Sequence, residues 1–314
     1  MNNKIIITTS TFARNDPAPL KELEIRGYEP ILNHHGKKLT ENELLYLIEK
    51  EKPIGLIAGT EPITEKVLRA SADFLRVISR AGTGWDNIDL RSANDLGIKV
   101  YRTPDAPTLA VAELTVGLIL NLLRNINLMD RRLRSGEWEK HMGNLLHAKK
   151  IGVLGFGRIG QNVARLLSSF DVELAYYDIE LKDCSTICER KSFESILCWA
   201  DILTLHMSHS AECSPVIGSR ELRLMKKGSW FINVSRGGIV DEEALYTVLK
   251  EGHLAGAALD VFEKEPYVGP LNTLENVILT PHIGSYAVEA RIRMEMDAVK
   301  NLIEGLQYYK NIDS

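Results

Sequence analysis

Cysteine is scarce: four residues among 314 cannot staple a chain of this length, so no disulfide framework is expected. Cys184 and Cys188 stand near one another, yet no CxxC pair accompanies them, and Cys198 and Cys213 lack zinc-like spacing to a histidine. Reduced thiols and no metal follow. An excess of either charge is missing too. A net charge of −4 and a pI near 6.1 provide no basic footprint, which argues against nucleic acid or an anionic membrane as partner and leaves room for a small, locally steered anion. Long apolar runs are also lacking. Ile5-Ile6-Ile7 behind Met1-Asn2-Asn3-Lys4 is far too short for a signal peptide or a span, and the apolar stretch Leu109 to Leu133 is interrupted by Glu113, Asn121 and Arg124. No internal repeat, low-complexity run or flexible tail is evident. These absences describe a cytoplasmic protein whose 45% hydrophobic content suffices for about two domains.

What is present is organised around Ile151 to Gly160. Apolar residues run up to Gly155, a GxGxxG pattern follows, and helical apolar spacing continues through Val163, Leu166 and Leu167. Strand, glycine turn and helix in that order make a dinucleotide site. Gly155 permits the tight turn, Gly157 lets backbone approach a pyrophosphate, and Gly160 lets the helix pack close to the strand. The helix N-terminus at Arg158 and Ile159 offers N–H groups to the anion. Val172 to Tyr177 reads as the next strand, and Asp178 ends it 18 residues beyond the last glycine, where a carboxylate accepts from ribose hydroxyls and repels a 2′-phosphate. The cofactor expected is NAD.

Before that stretch the pattern alternates. Strands are expected at Lys4 to Thr9, Tyr28 to Asn33, Ile54 to Ala58 and Arg76 to Arg80, with helices at Leu20 to Arg26, Thr40 to Lys50, Thr64 to Ala70 and Leu90 to Asp95. Alternation implies an α/β class with doubly wound parallel sheets. Arg80-Ala81-Gly82-Thr83-Gly84-Trp85-Asp86-Asn87 follows a strand directly; its glycines either expose N–H groups to a carboxylate or form a plain turn with Asp86 and Asn87 capping the next helix. Leu109 to Leu133 reads as one long helix, so apolar that it must bury against a second copy of the chain or against intrachain core. From Lys150 onward strands are expected at Lys150 to Leu154, Val172 to Tyr177, Ile202 to His206, Trp230 to Ser235, Leu254 to Leu259 and Val277 to Thr280, with helices at Arg158 to Phe170 and Phe193 to Cys198. A last helix spans Ala287 to Leu306, most simply a return to the first domain.

Three residues fall in loops after strands of the second half: Arg236, Glu265 and His282. Strand carboxyl ends converge on the crevice of such a sheet. A histidine suits proton exchange with an alcohol near neutral pH, a carboxylate beside it orients the ring, and an arginine grips a substrate carboxylate as a planar fork. Singly, each has a duller reading as an ion pair, a solvated loop charge or a packed side chain. His206 and His209 compete with His282 as the base, and the loop Met207 to Ser210 is an alternative lining for nicotinamide.

At these residues the sequence resembles the D-isomer-specific 2-hydroxyacid dehydrogenases, especially the phosphoglycerate dehydrogenase branch. The resemblance spans Arg80 to Leu90, Ala112-Glu113-Leu114, Gly155 to Gly160, Asn233 to Glu242, Gly256 to Phe262 and Thr280 to Gly284. It implies a Rossmann-type NAD-binding domain at 101–286 and a smaller, discontinuous, flavodoxin-like α/β substrate domain at 1–100 and 287–314. It also implies hydride transfer between NAD(H) and C2 of a small 2-hydroxy or 2-oxo acid, cleft closure, and a homodimer built on the long helix. His282 is then the acid/base, Glu265 its support and Arg236 a substrate ligand; Ala81 and Gly82 belong to a substrate-carboxylate loop. Asp260 holds the nicotinamide carboxamide, and Val234, His206 and His282 stand near the cofactor. The chain departs from the pattern at Ser208 and Ser210, where relatives carry proline and threonine. It departs again at Ala58-Gly59-Thr60-Glu61-Pro62, where the phosphoglycerate branch carries an arginine for the substrate phosphate. Ser314 leaves no room for a carboxy-terminal regulatory domain. Two alternatives accompany this reading: a glyoxylate or hydroxypyruvate reductase within the class, and a non-catalytic NADH-sensing module that binds protein.

Overall fold

The structure, a computed structural model, describes residues 3–182, 188–208 and 215–312. His209, Ser210, Cys184 and Cys213 lie outside the described residues. Contacts divide the chain into two compact units, Met1–Pro107 with Ser285–Ser314, and Thr108–Gly284.

The first unit alternates β1 (Lys4–Ile7), α1 (Ala18–Ile25), β2 (Glu29–Leu32), α2 (Glu41–Glu51), β3 (Gly55–Ala58), α3 (Glu65–Ser71), β4 (Val77–Arg80), α4 (Leu90–Asp95) and β5 (Lys99–Arg102). All pairings are parallel, in the order β2-β1-β3-β4-β5, which is the flavodoxin-like doubly wound order. The α2 start follows from its sequence: the Thr40 hydroxyl accepts from the Glu43 N–H at 3.3 Å, and the Glu43 carboxylate accepts from the Thr40 N–H at 2.8 Å. Strand β5 is not legible in the sequence. Lys99–Arg102 is only partly buried and lacks a continuous apolar run, yet it pairs with β4 in register. Its pairing draws residues 101–107 into this unit, not the dinucleotide half.

The second unit opens with α5 (Thr108–Arg124) and α6 (Ile126–Arg134). One continuous helix is expected there, and the structure corrects this: the two axes meet at 64°. Asn125 adopts the left-handed conformation at φ 53°, which asparagine tolerates better than most residues, and the Asn121 side chain accepts the Asn127 N–H at 2.8 Å. The apolar face of α5 is intrachain core. Leu118, Ile119, Leu122 and Leu123 pack in one cluster with Val163, Ala164 and Leu167 of α7 (Arg158–Leu167), each large aliphatic contributing about 1.5–3 kcal/mol by burial.

Strand β6 (Lys150–Leu154) precedes α7, which ends in a short 3₁₀ turn, Ser168–Phe170. Then follow β7 (Glu173–Tyr177), β8 (Glu189–Arg190), α8 (Phe193–Trp199), β9 (Ile202–Leu205), α9 (Ser219–Leu224), β10 (Trp230–Asn233), α10 (Glu242–Lys250), β11 (Gly256–Leu259) and β12 (Val277–Leu279). The sheet order β12-β11-β10-β9-β6-β7-β8, all parallel, places β6 at the strand-order switch of a Rossmann sheet. The chain returns to the first unit as α11 (Val288–Ile312), where Met294, Ala298, Val299, Leu302 and Ile303 pack with Ile5, Ile57 and Val77.

Candidate active site

Because every strand of the larger sheet is parallel, its carboxyl-end loops leave one edge. From one side to the other they carry His282 after β12, Asp260 and Glu265 after β11, Arg236 after β10, His206 after β9, the glycine turn after β6 and Asp178 after β7. Neighbouring strands stand about 4.8 Å apart, so the row matches an extended ligand with its sugar end at Asp178.

The glycine turn fits a dinucleotide. Gly155 has φ 86°, and a Cβ there would stand 2.6 Å from the His206 carbonyl; a Cβ on Gly160 would stand 2.2 Å from the Gly155 carbonyl oxygen. Both positions therefore require glycine. At Gly157 the same Cβ meets nothing within 4 Å, so that face of the turn is open to an approaching phosphate. The first-turn N–H groups of α7, at Arg158, Ile159 and Gly160, have no preceding helical carbonyl to bond. Asp178 is held in place by the turn itself: Oδ2 accepts the Phe156 N–H at 2.7 Å and Oδ1 the Glu180 N–H at 2.9 Å. Each oxygen keeps acceptor capacity for a ribose hydroxyl.

At the other end of the row, Nδ1 of His282 lies 3.0 and 3.1 Å from the two Glu265 oxygens. His282 has φ 54°, a strained position for a non-glycine residue. Asp260 stabilises it. This buried carboxylate accepts the Ile283 and Gly284 N–H groups at 2.8 Å each and the Thr280 hydroxyl at 2.5 Å. Burial pushes its carboxyl up, against those hydrogen bonds. Glu265 in turn accepts the Phe262 N–H at 3.2 Å, and Glu242 accepts the Glu263 N–H at 2.7 Å. Partial burial raises Glu242, with Glu263 and Glu265 adding to the effect. The Arg236 loop is shaped by Asn233, whose Oδ1 accepts the Ser235 N–H at 3.1 Å and hydroxyl at 2.8 Å while Nδ2 donates to the Arg236 carbonyl at 3.1 Å. Sequence reasoning misses Thr280, Asn233 and Glu242 as positioning residues, since their roles lie in loop hydrogen bonds between residues distant in sequence or one turn apart.

Three expectations change. Val234 is buried in the core with Ile232 and Ala258, so only its backbone can face a cofactor. Ala81 and Gly82 do not offer free N–H groups: Ala81 donates to the Ala58 carbonyl at 2.9 Å and Gly82 to the Thr103 hydroxyl at 2.8 Å. The N–H groups of Thr83 and Gly84 have no acceptor among the described residues. Asp89, not Asp86 or Asn87, caps α4, accepting the Ser92 N–H at 2.9 Å. Asn87 instead ties this loop to the one after β3, donating to the Glu61 carbonyl at 2.6 Å.

His206 is removed as a competing base. The residue keeps partial exposure, but Nδ1 is buried without a partner among the described residues, Nε2 pairs with the Thr204 hydroxyl at 2.9 Å, and burial lowers the pKa to about 3. The unfolded chain takes up this proton near pH 6.5 and the folded chain only near 3, so the stability contribution is complete above 6.5 and declines as pH falls between those values. By pH 5 the loss reaches at most about 2 kcal/mol. Urea midpoints at pH 7 and pH 5 should therefore fall further apart in the parent than in His206→Gln; equal drops would contradict the assignment.

The strand order and glycine turn define a dinucleotide-binding site. A family model described as D-isomer specific 2-hydroxyacid dehydrogenase, NAD binding domain, matches residues 116–284. A glyoxylate reductase from Thermofilum pendens is 43% identical over 270 residues, covering 82% of this chain and 79% of the relative. A hydroxypyruvate reductase from Thermotoga maritima is 33% identical over 298 residues, covering 93% of this chain and 97% of the relative. Among solved structures, the TT0316 protein from Thermus thermophilus superposes with a TM-score of 0.89 at 34% identity, covering 97% of each chain. The chain belongs to the D-isomer specific 2-hydroxyacid dehydrogenases, NAD-dependent oxidoreductases that act on the CH–OH group of 2-hydroxy acids.

Proposed function

We propose that this enzyme reduces the C2 carbonyl of a small 2-oxo acid, and oxidises the matching D-2-hydroxy acid, with His282 as the acid and base. The observation that carries the assignment is the Glu265 carboxylate on Nδ1 of His282. It orients the ring and leaves Nε2 to exchange a proton with the C2 oxygen. Bound NADH supplies the hydride. Arg236 grips the substrate carboxylate and polarises the carbonyl. Asp260 keeps lone pairs for the nicotinamide carboxamide while holding the His282 loop. An NADH-oxidation assay at 340 nm across a panel of 2-oxo acids tests the whole reading; a flat trace for every acid with tight NADH binding retained would favour a sensor instead.

Asp178 sets cofactor choice. A second negative group on the ribose would meet its carboxylate, so Asp178→Ala should lower the NADH over NADPH preference by about tenfold or more, as judged by kcat/KM with each cofactor. A parent enzyme that uses both equally would contradict this role.

The functional unit proposed is a cytoplasmic homodimer. Helix α6 buries no residue, and Ile126, Leu133, Trp138, Met142 and Leu145 all lie exposed along 126–145, Trp138 at 80% and Met142 at 94%. So much apolar surface in one arm favours a second copy as its cover. The free thiol of Cys198 suits a reducing compartment. Among the described residues no single helix is long and apolar enough to cross a membrane.

A further inference from the structure

Two carboxylates fold the loop after β11 that carries Glu265. Glu265 accepts the Phe262 N–H at 3.2 Å, and Glu242, the first residue of α10, accepts the next one along, the Glu263 N–H, at 2.7 Å. The loop leading into α10 lies tight against the same two residues, since a Cβ on Gly237 would stand 1.8 Å from the Phe262 carbonyl oxygen. Glu242 therefore grips the backbone two residues before Glu265. Its surroundings are of one sign. Glu242 is partly buried, no lysine or arginine pairs with it among the described residues, and the titratable groups that act on it are Glu263, Glu265 and the Tyr267 hydroxyl. Arginines of neighbouring segments have partners of their own: Arg236 donates to the Ser235 carbonyl at 2.8 Å, and Arg220 and Arg223 of α9 pair with Glu194 and Glu251. Burial raises the Glu242 carboxyl, and like charge on Glu263 and Glu265 adds to the rise. The Glu263 N–H and the positive end of α10 work the other way and favour the ionised form. Coulombic coupling is mutual, so a carboxylate that feels Glu265 also acts on Glu265 and on the ring it holds at 3.0 Å. Negative charge there favours imidazolium.

We propose that Glu242 is a positioning residue for the reaction: it fixes the loop that carries Glu265 and, by its negative charge, sets the pH at which His282 exchanges its proton. The proposal rests on the dehydrogenase reading above. Asp260 acts on His282 as well, but equally in parent and variants. Reduction needs the protonated acid, so kcat/KM falls as pH rises through its titration. Profiles of NADH oxidation against pH, with glyoxylate and with hydroxypyruvate, test the role. Glu242→Gln keeps an oxygen for the Glu263 N–H and removes the charge. The fall should then move to lower pH by about half a unit, a size set by the solvent that screens a half-exposed pair. Its plateau rate should drop by no more than about threefold, whereas Glu242→Ala, which also releases the N–H, should drop it about tenfold with the same shift. A grip with no electrical role would lower rates and thermal midpoint and leave the fall where the parent has it. Profiles of parent and Glu242→Gln that superimpose, or a shift to higher pH, overturn the proposal. Should Glu242→Gln fail to fold, Glu242→Ser removes the charge with a smaller group and must show the same shift; failure of both to fold would make Glu242 part of the scaffold and overturn the proposal too. If the parent reduces no 2-oxo acid, the dehydrogenase reading itself falls; turnover with an unmoved profile refutes only the role of Glu242.

Discussion

The His282→Ala substitution is expected to lower kcat for 2-oxo acid reduction by about 10²–10⁴-fold, the range that a positioned general acid contributes. NADH binding, followed by its fluorescence, should survive, because the turn at Gly155 to Gly160 and Asp178 sit several strands away in the sheet. Glu265→Gln should cost less, about 10–100-fold, since it disturbs the orientation of the ring and not the proton carrier. An unchanged rate in His282→Ala would remove this histidine from the chemistry. The assignment would then have to pass to a group outside the row of loops, because His206, the other described histidine in that row, has its Nδ1 buried and is hard to protonate.

The second large effect is expected at Gly237. A Cβ there would stand 1.8 Å from the Phe262 carbonyl oxygen and 2.7 Å from the Glu263 nitrogen, both backbone atoms that no rotamer change can move aside. Gly237→Ala must therefore push the loop after β10 away from the loop after β11. Overpacking of this kind costs about 1–3 kcal/mol or more, so a lowered thermal midpoint is expected together with a loss of activity. The activity loss should exceed what instability alone explains, because Arg236 precedes the clash and Glu265 follows it. A variant with the parent's midpoint and kcat/KM would show that the two loops do not need their observed approach.

The sequence is a good guide wherever local chemistry is self-sufficient. Thr40 and Glu43 announce the start of α2, and a glycine at 155 and 160 announces backbone crowding that the geometry then displays. It misleads where one side chain overrides the apolar period. Leu109 to Leu133 keeps its spacing through Asn125, but the Asn121 side chain satisfies an N–H of the second helix and lets the chain turn. Strand β5 escapes for the opposite reason: its place comes from pairing with β4 and from α11 returning over it, not from its own composition.

For the candidate site, residue types and spacing pointed to the cofactor turn, Asp178, and the trio of Arg236, Glu265 and His282, because each of these follows a strand and strands in a parallel sheet end on one edge. Which atoms are available was decided only by tertiary structure. Ala81 and Gly82 share a glycine-rich loop with Thr83 and Gly84, and nothing in the sequence shows that the first pair spends its N–H groups on Ala58 and Thr103. The burial of the Glu61 carboxylate, which accepts from the Thr8 hydroxyl and the Gly59 N–H, is likewise a product of long-range strand pairing and not of its loop.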